Sequence, residues 1–227
     1  MPPRPDGPAT RGSQHWLQVL VNHRPELLDG PLAGAIQLPE SDLISWISPL
    51  AADGYREYRD HEFLTRLGAE LPARSLESFW PARGPVWDGL ACSTPRDLIL
   101  VEAKAHVAEI ASPASKASPD SMKRIRASLE ETQTHLGIDP EKYDWAGVFY
   151  QYVNRLAHLY LLRVLNDRPA WLVLLYFLND PDMKGPTTQA EWEAALAVLH
   201  AALGLPKQHK MARWVVNLFV DVSMVQG

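Results

Sequence analysis

Cysteine is nearly absent: Cys92 is the only one in 227 residues. No disulfide can form within the chain and no cysteine-rich zinc site can be built, so the fold must stand on packing. Long apolar runs are missing as well. The longest, from Ala170 to Leu178, falls far short of the roughly 20 residues that span a bilayer. The first residues, MPPRPDGPATRGS, lack the apolar stretch of a secretory signal. These absences predict a cytoplasmic protein with no membrane partner. Excess basic charge is lacking too: Lys and Arg number 22 against 27 Asp and Glu, a net charge of −5 with a pI near 5.9. That disfavours a nonspecific nucleic-acid coater and leaves any phosphate contact to a local patch. The chain has no His-Glu-x-x-His, Gly-x-x-x-x-Gly-Lys, Gly-x-Gly-x-x-Gly or Gly-x-Ser-x-Gly. This argues against zinc-protease, P-loop, dinucleotide-dependent and serine-hydrolase chemistry.

What is present is an average globular composition, 46% hydrophobic and 22% charged, enough for one sizeable core. Residues 1–13, rich in Pro and Gly, predict a flexible tail. Residues 14–54 read as an N-terminal helical cap, with helical fragments at 15–22 and 42–47 between Pro and Gly breaks. Residues 55–227 read as the main domain, the whole forming one globular unit. Within it, Phe63, Leu64, Leu67 and Leu71 recur at helical spacing over 55–71. The segments 76–80, 85–91 and 97–106 are short, apolar and separated by turn residues, which predicts a meander of three strands.

Ser118-Pro119 and Gly137 bracket a helix. Asp139-Pro140 opens another, running to about Leu165 with Phe149, Tyr152, Val153, Leu156, Leu159 and Tyr160 on its apolar side. Ala170 to Leu178 suits a strand buried on both faces. Thr188 and Glu191 form a capping box for a helix that Gly204 ends, and residues 214–222 alternate as a last strand. The order predicts an α/β, three-layer sandwich with a central mixed β-sheet.

Chemistry concentrates in Pro85-Val86-Trp87-Asp88 and in Val101-Glu102-Ala103-Lys104. Residues two apart on a strand share a face, so Glu102 and Lys104 emerge side by side, and Asp88 reaches the same spot if the two segments pair. Charges at the end of an apolar strand call for a partner or a metal ion. Asp88 and Glu102, with a backbone carbonyl and water, offer the oxygen ligands that Mg²⁺ or Mn²⁺ accepts, and Lys104 can steer a water or steady charge on a phosphate. The plain alternative is a set of solvated charges at strand ends.

This arrangement resembles the PD-(D/E)XK phosphodiesterase superfamily of restriction-endonuclease-like folds: an Asp, a spacer, then Glu-x-Lys on the next strand. Glu102-Ala103-Lys104 is the only Glu-x-Lys in the chain, and Pro85 stands three residues before Asp88 rather than directly before it. The resemblance implies that Asp88 and Glu102 are metal ligands, that Ala103 adds its carbonyl, and that Lys104 is the catalytic lysine. It implies a further acid from the preceding helix, Glu57 or Glu62 with Glu62 taken here, and a polar group, Gln151, facing the site near Tyr152 and Arg155. The expected activity is a metal-dependent nuclease acting on nucleic acid, taken as DNA. The rival is a binding or assembly protein that keeps the fold without the chemistry. A homodimer is compatible with either.

Other features read as bland. His106 and Glu109 suit a solvated strand end, a position just outside the site or a second metal site. Lys116, Lys123, Arg124 and Arg126, and separately Lys207, His209, Lys210 and Arg213, form basic clusters that suit phosphate or plain water. The eight tryptophans are scattered and read as core or interface.

Overall fold

The structure, a computed structural model, describes residues 7–94, 97–112 and 114–225. Five strands form one sheet in the order β1 (Ile44–Ser48), β2 (Gly89–Ser93), β3 (Leu98–Lys104), β4 (Ala170–Leu178) and β5 (Val215–Asp221). The first three pair antiparallel and the last two join parallel, so the sheet is mixed. Parallel neighbours need a crossover, and helices supply it. Helices α5 (Pro119–Leu136) and α6 (Tyr150–Tyr160) link β3 to β4, and α7 (Gln189–Leu203) links β4 to β5.

Strand alternation divides the core in two. Leu98, Leu100, Leu172, Leu174 and Tyr176 face a layer made by α5, α6, α7 and the short helices α3 (Asp60–Leu67) and α4 (Leu76–Phe79). Ile99, Val101, Ala103, Val173, Leu175 and Phe177 face α1 (Gly12–His23) and α2 (Glu26–Ala35). The result is α/β with helices on both faces of the sheet. No helix among the described residues is long and apolar enough to cross a membrane.

Several expected elements form as read. Ser118 caps α5 by accepting the Ser121 amide, and Gly137 ends it at φ 77°, a left-handed turn that glycine enters without strain. Thr188 and Glu191 make the capping box of α7. Strand β4 is buried along nearly its whole length.

Others differ. Residues 42–47, read as helical, contribute β1, because Ile44, Trp46 and Ile47 are branched or aromatic and pair with β2. Residues 76–80, read as a strand, form the single turn α4: Ser75 accepts the Ser78 amide, and Leu76 and Phe79, three apart, bury together. The meander thus takes its first strand from 44–48. The helix expected over 55–71 shortens to Asp60–Leu67. The one expected from Asp139 begins at Tyr150, because Asp139 and Asp144 turn their carboxylates onto the amides of Glu141 and Ala146 and Phe149 adopts φ 70°. The segment read as a cap is integral, giving the sheet an edge strand and one helical layer. Of the expected tail, residues 1–6 lie outside the described residues, while α1 begins at Gly12 and the Ala9 amide donates to Gln18 Oε1 at 2.8 Å.

Candidate active site

Strand β3 is apolar as far as Val101 and then carries two charges in the row that faces α6. The row runs Leu98, Leu100, Glu102, Lys104, so two ionised groups occupy positions that apolar side chains fill further down the strand. Strand β2 ends its pairing with β3 at Gly89 opposite Val101. Asp88, one residue earlier, turns its carboxylate onto the β3 backbone: Oδ2 accepts the Ala103 amide at 2.8 Å. All three groups are buried, with relative exposures of 6% for Asp88, 3% for Glu102 and 9% for Lys104. The solvated strand end is therefore not what forms.

Glu102 is held from two sides. Lys104 Nζ pairs with Oε1. Arg155, from the middle of α6, donates through Nε to Oε2 at 2.6 Å. The same guanidinium donates through Nη2 to the Val86 carbonyl at 2.6 Å and through Nη1 to Asn154 Oδ1 at 3.1 Å, and it lies 4.8 Å over the Trp87 ring. Arg155 thus ties the turn before Asp88 to the strand that carries Glu102. Burial pushes the Glu102 carboxyl upward, but the charges of Arg155 and Lys104 outweigh it and hold the group below its ordinary value. Glu102 is ionised at neutral pH.

Gln151, Tyr152, Ile110, Leu174 and Tyr176 line a small cleft with Glu102 and Lys104. The Gln151 backbone N–H donates to Ser112 Oγ at 2.8 Å, which joins the loop after β3 to the start of α6. Glu62 is elsewhere: it is exposed and paired with Arg56 at 3.0 Å. Glu57 is better placed. The Trp87 amide donates to the Tyr58 carbonyl at 3.0 Å in an isolated antiparallel bridge, so the chain at Glu57 runs past the chain at Asp88. Of the two acids, Glu57 is thus the one whose backbone lies near Asp88. Among the described residues no group of three or more His, Cys, Asp and Glu side chains is close enough to hold a metal ion.

His106 and Glu109 serve the loop after β3. His106 Nδ1 accepts the Ala108 amide at 3.0 Å, and Glu109 accepts the Ala105 amide at 3.2 Å. In the first basic cluster Arg124 donates to the Glu77 carbonyl and Arg126 pairs with Asp144, while Lys116 and Lys123 are exposed. In the second, His209 Nδ1 accepts the Met211 amide and Arg213 covers the Trp214 ring. Trp16, Trp80, Trp87, Trp145 and Trp192 are buried core.

Sequence reasoning gave Arg155 no role. The available signal was a cation in the middle of a helix whose every residue from Tyr152 to Tyr160 is buried, since an arginine there needs a carboxylate partner. His158, one turn further on, is enclosed by Phe63, Trp80 and Trp87. Its Nδ1 donates to the Asn154 carbonyl at 2.7 Å. Burial, with Arg155 acting the same way, pushes its pKa down to about 3, so the imidazole is neutral.

No family model, curated protein or solved structure matches the chain significantly.

The donor set of Asp88, Glu102 and the Ala103 carbonyl is all oxygen. Strand geometry directs the Ala103 carbonyl to the same side as its amide, toward Asp88. One or two carboxylates with water and substrate phosphate suffice for Mg²⁺, so these oxygen donors are of the kind that ion takes once a Glu102 oxygen is released by its cation.

Proposed function

We propose that the chain is a Mg²⁺-dependent nuclease with a restriction-endonuclease-like fold. The observation that carries this reading is the burial of Asp88, Glu102 and Lys104 at the adjoining ends of β2 and β3, with Asp88 bonded to the amide between the other two. Such groups are costly to bury without a task that needs them. The mixed sheet, three antiparallel strands followed by a parallel crossover, supports the same fold.

In this reading Asp88, Glu102 and the Ala103 carbonyl hold a divalent ion, which supplies Lewis-acid activation of water and charge neutralisation at the phosphate. Lys104 presents its ammonium to the attacking water or to charge developing on the phosphoryl oxygens. Arg155 keeps Glu102 ionised and oriented. Gln151, which lines the cleft, offers its side-chain amide to a phosphate or a base.

The test is incubation of the protein with single- and double-stranded DNA and with RNA, with Mg²⁺ and with EDTA. Wild type is expected to cleave only with the ion, and Asp88→Ala and Lys104→Ala to lose at least about a hundredfold in rate. Full activity in both variants overturns the proposal.

A second reading, a binding protein that keeps the fold without chemistry, is favoured by one observation: both oxygens of Glu102 are already engaged by cations. A melting temperature indifferent to Mn²⁺ but raised by a protein partner would select it.

A further inference from the structure

The two cations on Glu102 differ in how firmly they are held. Arg155 is 3% exposed in its side chain, and each of its three nitrogens has a partner: Glu102, Val86 and Asn154. Its planar fork matches that fixed set, and Trp87 supports its face. Lys104 is 11% exposed in its side chain and pairs with Glu102 Oε1 alone among the described groups. It carries a flexible stem and borders the cleft lined by Gln151, Tyr152 and Tyr176. One cation is locked and the other has a way out.

Charge balance then sets a condition. Glu102 carries one negative charge against the two cations, Lys104 and Arg155, that hold its two oxygens. Adding a dication with both cations in place sets three positive groups on one buried carboxylate, which is unfavourable. Moving one ammonium toward solvent relieves part of that charge and frees a carboxylate oxygen. Lys104 is the cation able to move.

We propose that Lys104 occupies the metal's place on Glu102 in the resting protein, and that a divalent ion binds by displacing the Lys104 ammonium from Oε1 into the cleft beside Gln151, while Arg155 stays on Oε2. This rests on the metal-dependent reading above. It makes Lys104 a brake on metal binding as well as a participant in cleavage, so the two effects of removing it have opposite signs. Arg155 is the positioning residue that holds Glu102 during the exchange.

The experiment is calorimetric titration of the full chain with Mn²⁺ and Mg²⁺, for wild type, Lys104→Met and Lys104→Gln. The lysine variants are expected to bind the ion about tenfold more tightly than wild type, the size of an ordinary coupling between two ligands of one group. In wild type, Mg²⁺ is expected to bring the ¹⁵N signal of the Lys104 ammonium, protected by the ion pair, into fast exchange with water. Equal or weaker binding by both variants, with the ammonium signal unmoved by saturating Mg²⁺, overturns the displacement and leaves the metal site standing. Failure of wild type and both variants to bind either ion overturns the metal site and the displacement with it. Should neither variant fold, the ammonium signal in wild type decides.

Discussion

The Asp88 carboxylate accepts the Ala103 amide at 2.8 Å, so one side chain extends the junction of β2 and β3 and places an acid beside Glu102. The two roles separate by substitution. Asp88→Asn keeps an acceptor for the amide and is expected to unfold within about 1 kcal/mol of wild type, whereas Asp88→Ala leaves a buried N–H unpaired and loses about 1–3 kcal/mol. Both should lose any stabilisation by Mn²⁺. Urea titration with and without the ion separates the effects.

Removing Arg155 strands Glu102 in the core with Lys104 as its remaining cation. Arg155→Met is expected to cost about 3–5 kcal/mol. The double variant Glu102→Leu with Arg155→Met, which removes both members of the pair and leaves only Lys104 to turn toward the cleft, should lose less than the sum of the two single changes. Chemical denaturation of the four proteins measures the coupling, and additivity would contradict the ion pair.

His158 makes stability depend on pH in a definite direction. Its folded pKa of about 3 lies below the ordinary 6.5, so between those values the unfolded chain binds more protons and stability falls as pH falls. At pH 5 this group alone accounts for a loss of roughly 2 kcal/mol relative to pH 7.5. His200 and His209, also depressed mainly by burial, act in the same sense. Glu102 adds its own loss only below its ordinary carboxylate range. His158→Gln is expected to flatten the slope of unfolding free energy between pH 5 and 7; an unchanged slope would place the proton uptake elsewhere.

Glu57 and Glu62 are five residues apart in sequence but differ in place. Glu62 is on the surface with Arg56, and Glu57 neighbours Asp88 through the Tyr58–Trp87 bridge. Under the nuclease reading, Glu57→Gln should lower ion-dependent cleavage, while Glu62→Gln should change stability by no more than about 0.5 kcal/mol and leave the rate alone. Rates at saturating Mg²⁺ distinguish them; the reverse pattern restores Glu62 to the site.

Much of the fold was legible because its signals are local. Ser118-Pro119 with Gly137, and Thr188 with Glu191, act within a turn of the helix ends they cap. The unbroken apolar run of β4 reports burial on both faces without reference to any partner. Residues 42–47 and 76–80 misled because each is short, and what decides them lies outside: pairing with β2 for the first, a one-turn cap on Ser75 for the second. The same boundary runs through the site. Glu102 and Lys104 were found together because a strand puts alternate residues on one face. Arg155 and Glu57 depend on contacts across 53 residues of chain and on an isolated bridge, and no period in the sequence encodes either.

The pairing of Glu102 with Arg155 also sets an order of assembly during synthesis. While the chain emerges from the ribosome, β2 and β3 can form their hairpin before α6 exists, and for that interval Glu102 has only Lys104 as a countercharge. The locked half of the site closes only once residue 155 has been made and α6 has docked, and β4 begins at Ala170, beyond the end of α6 at Tyr160. An N-terminal fragment ending before Tyr150 would therefore carry every residue of the Asp88 and Glu102–Lys104 motif and still lack the group that fixes its geometry.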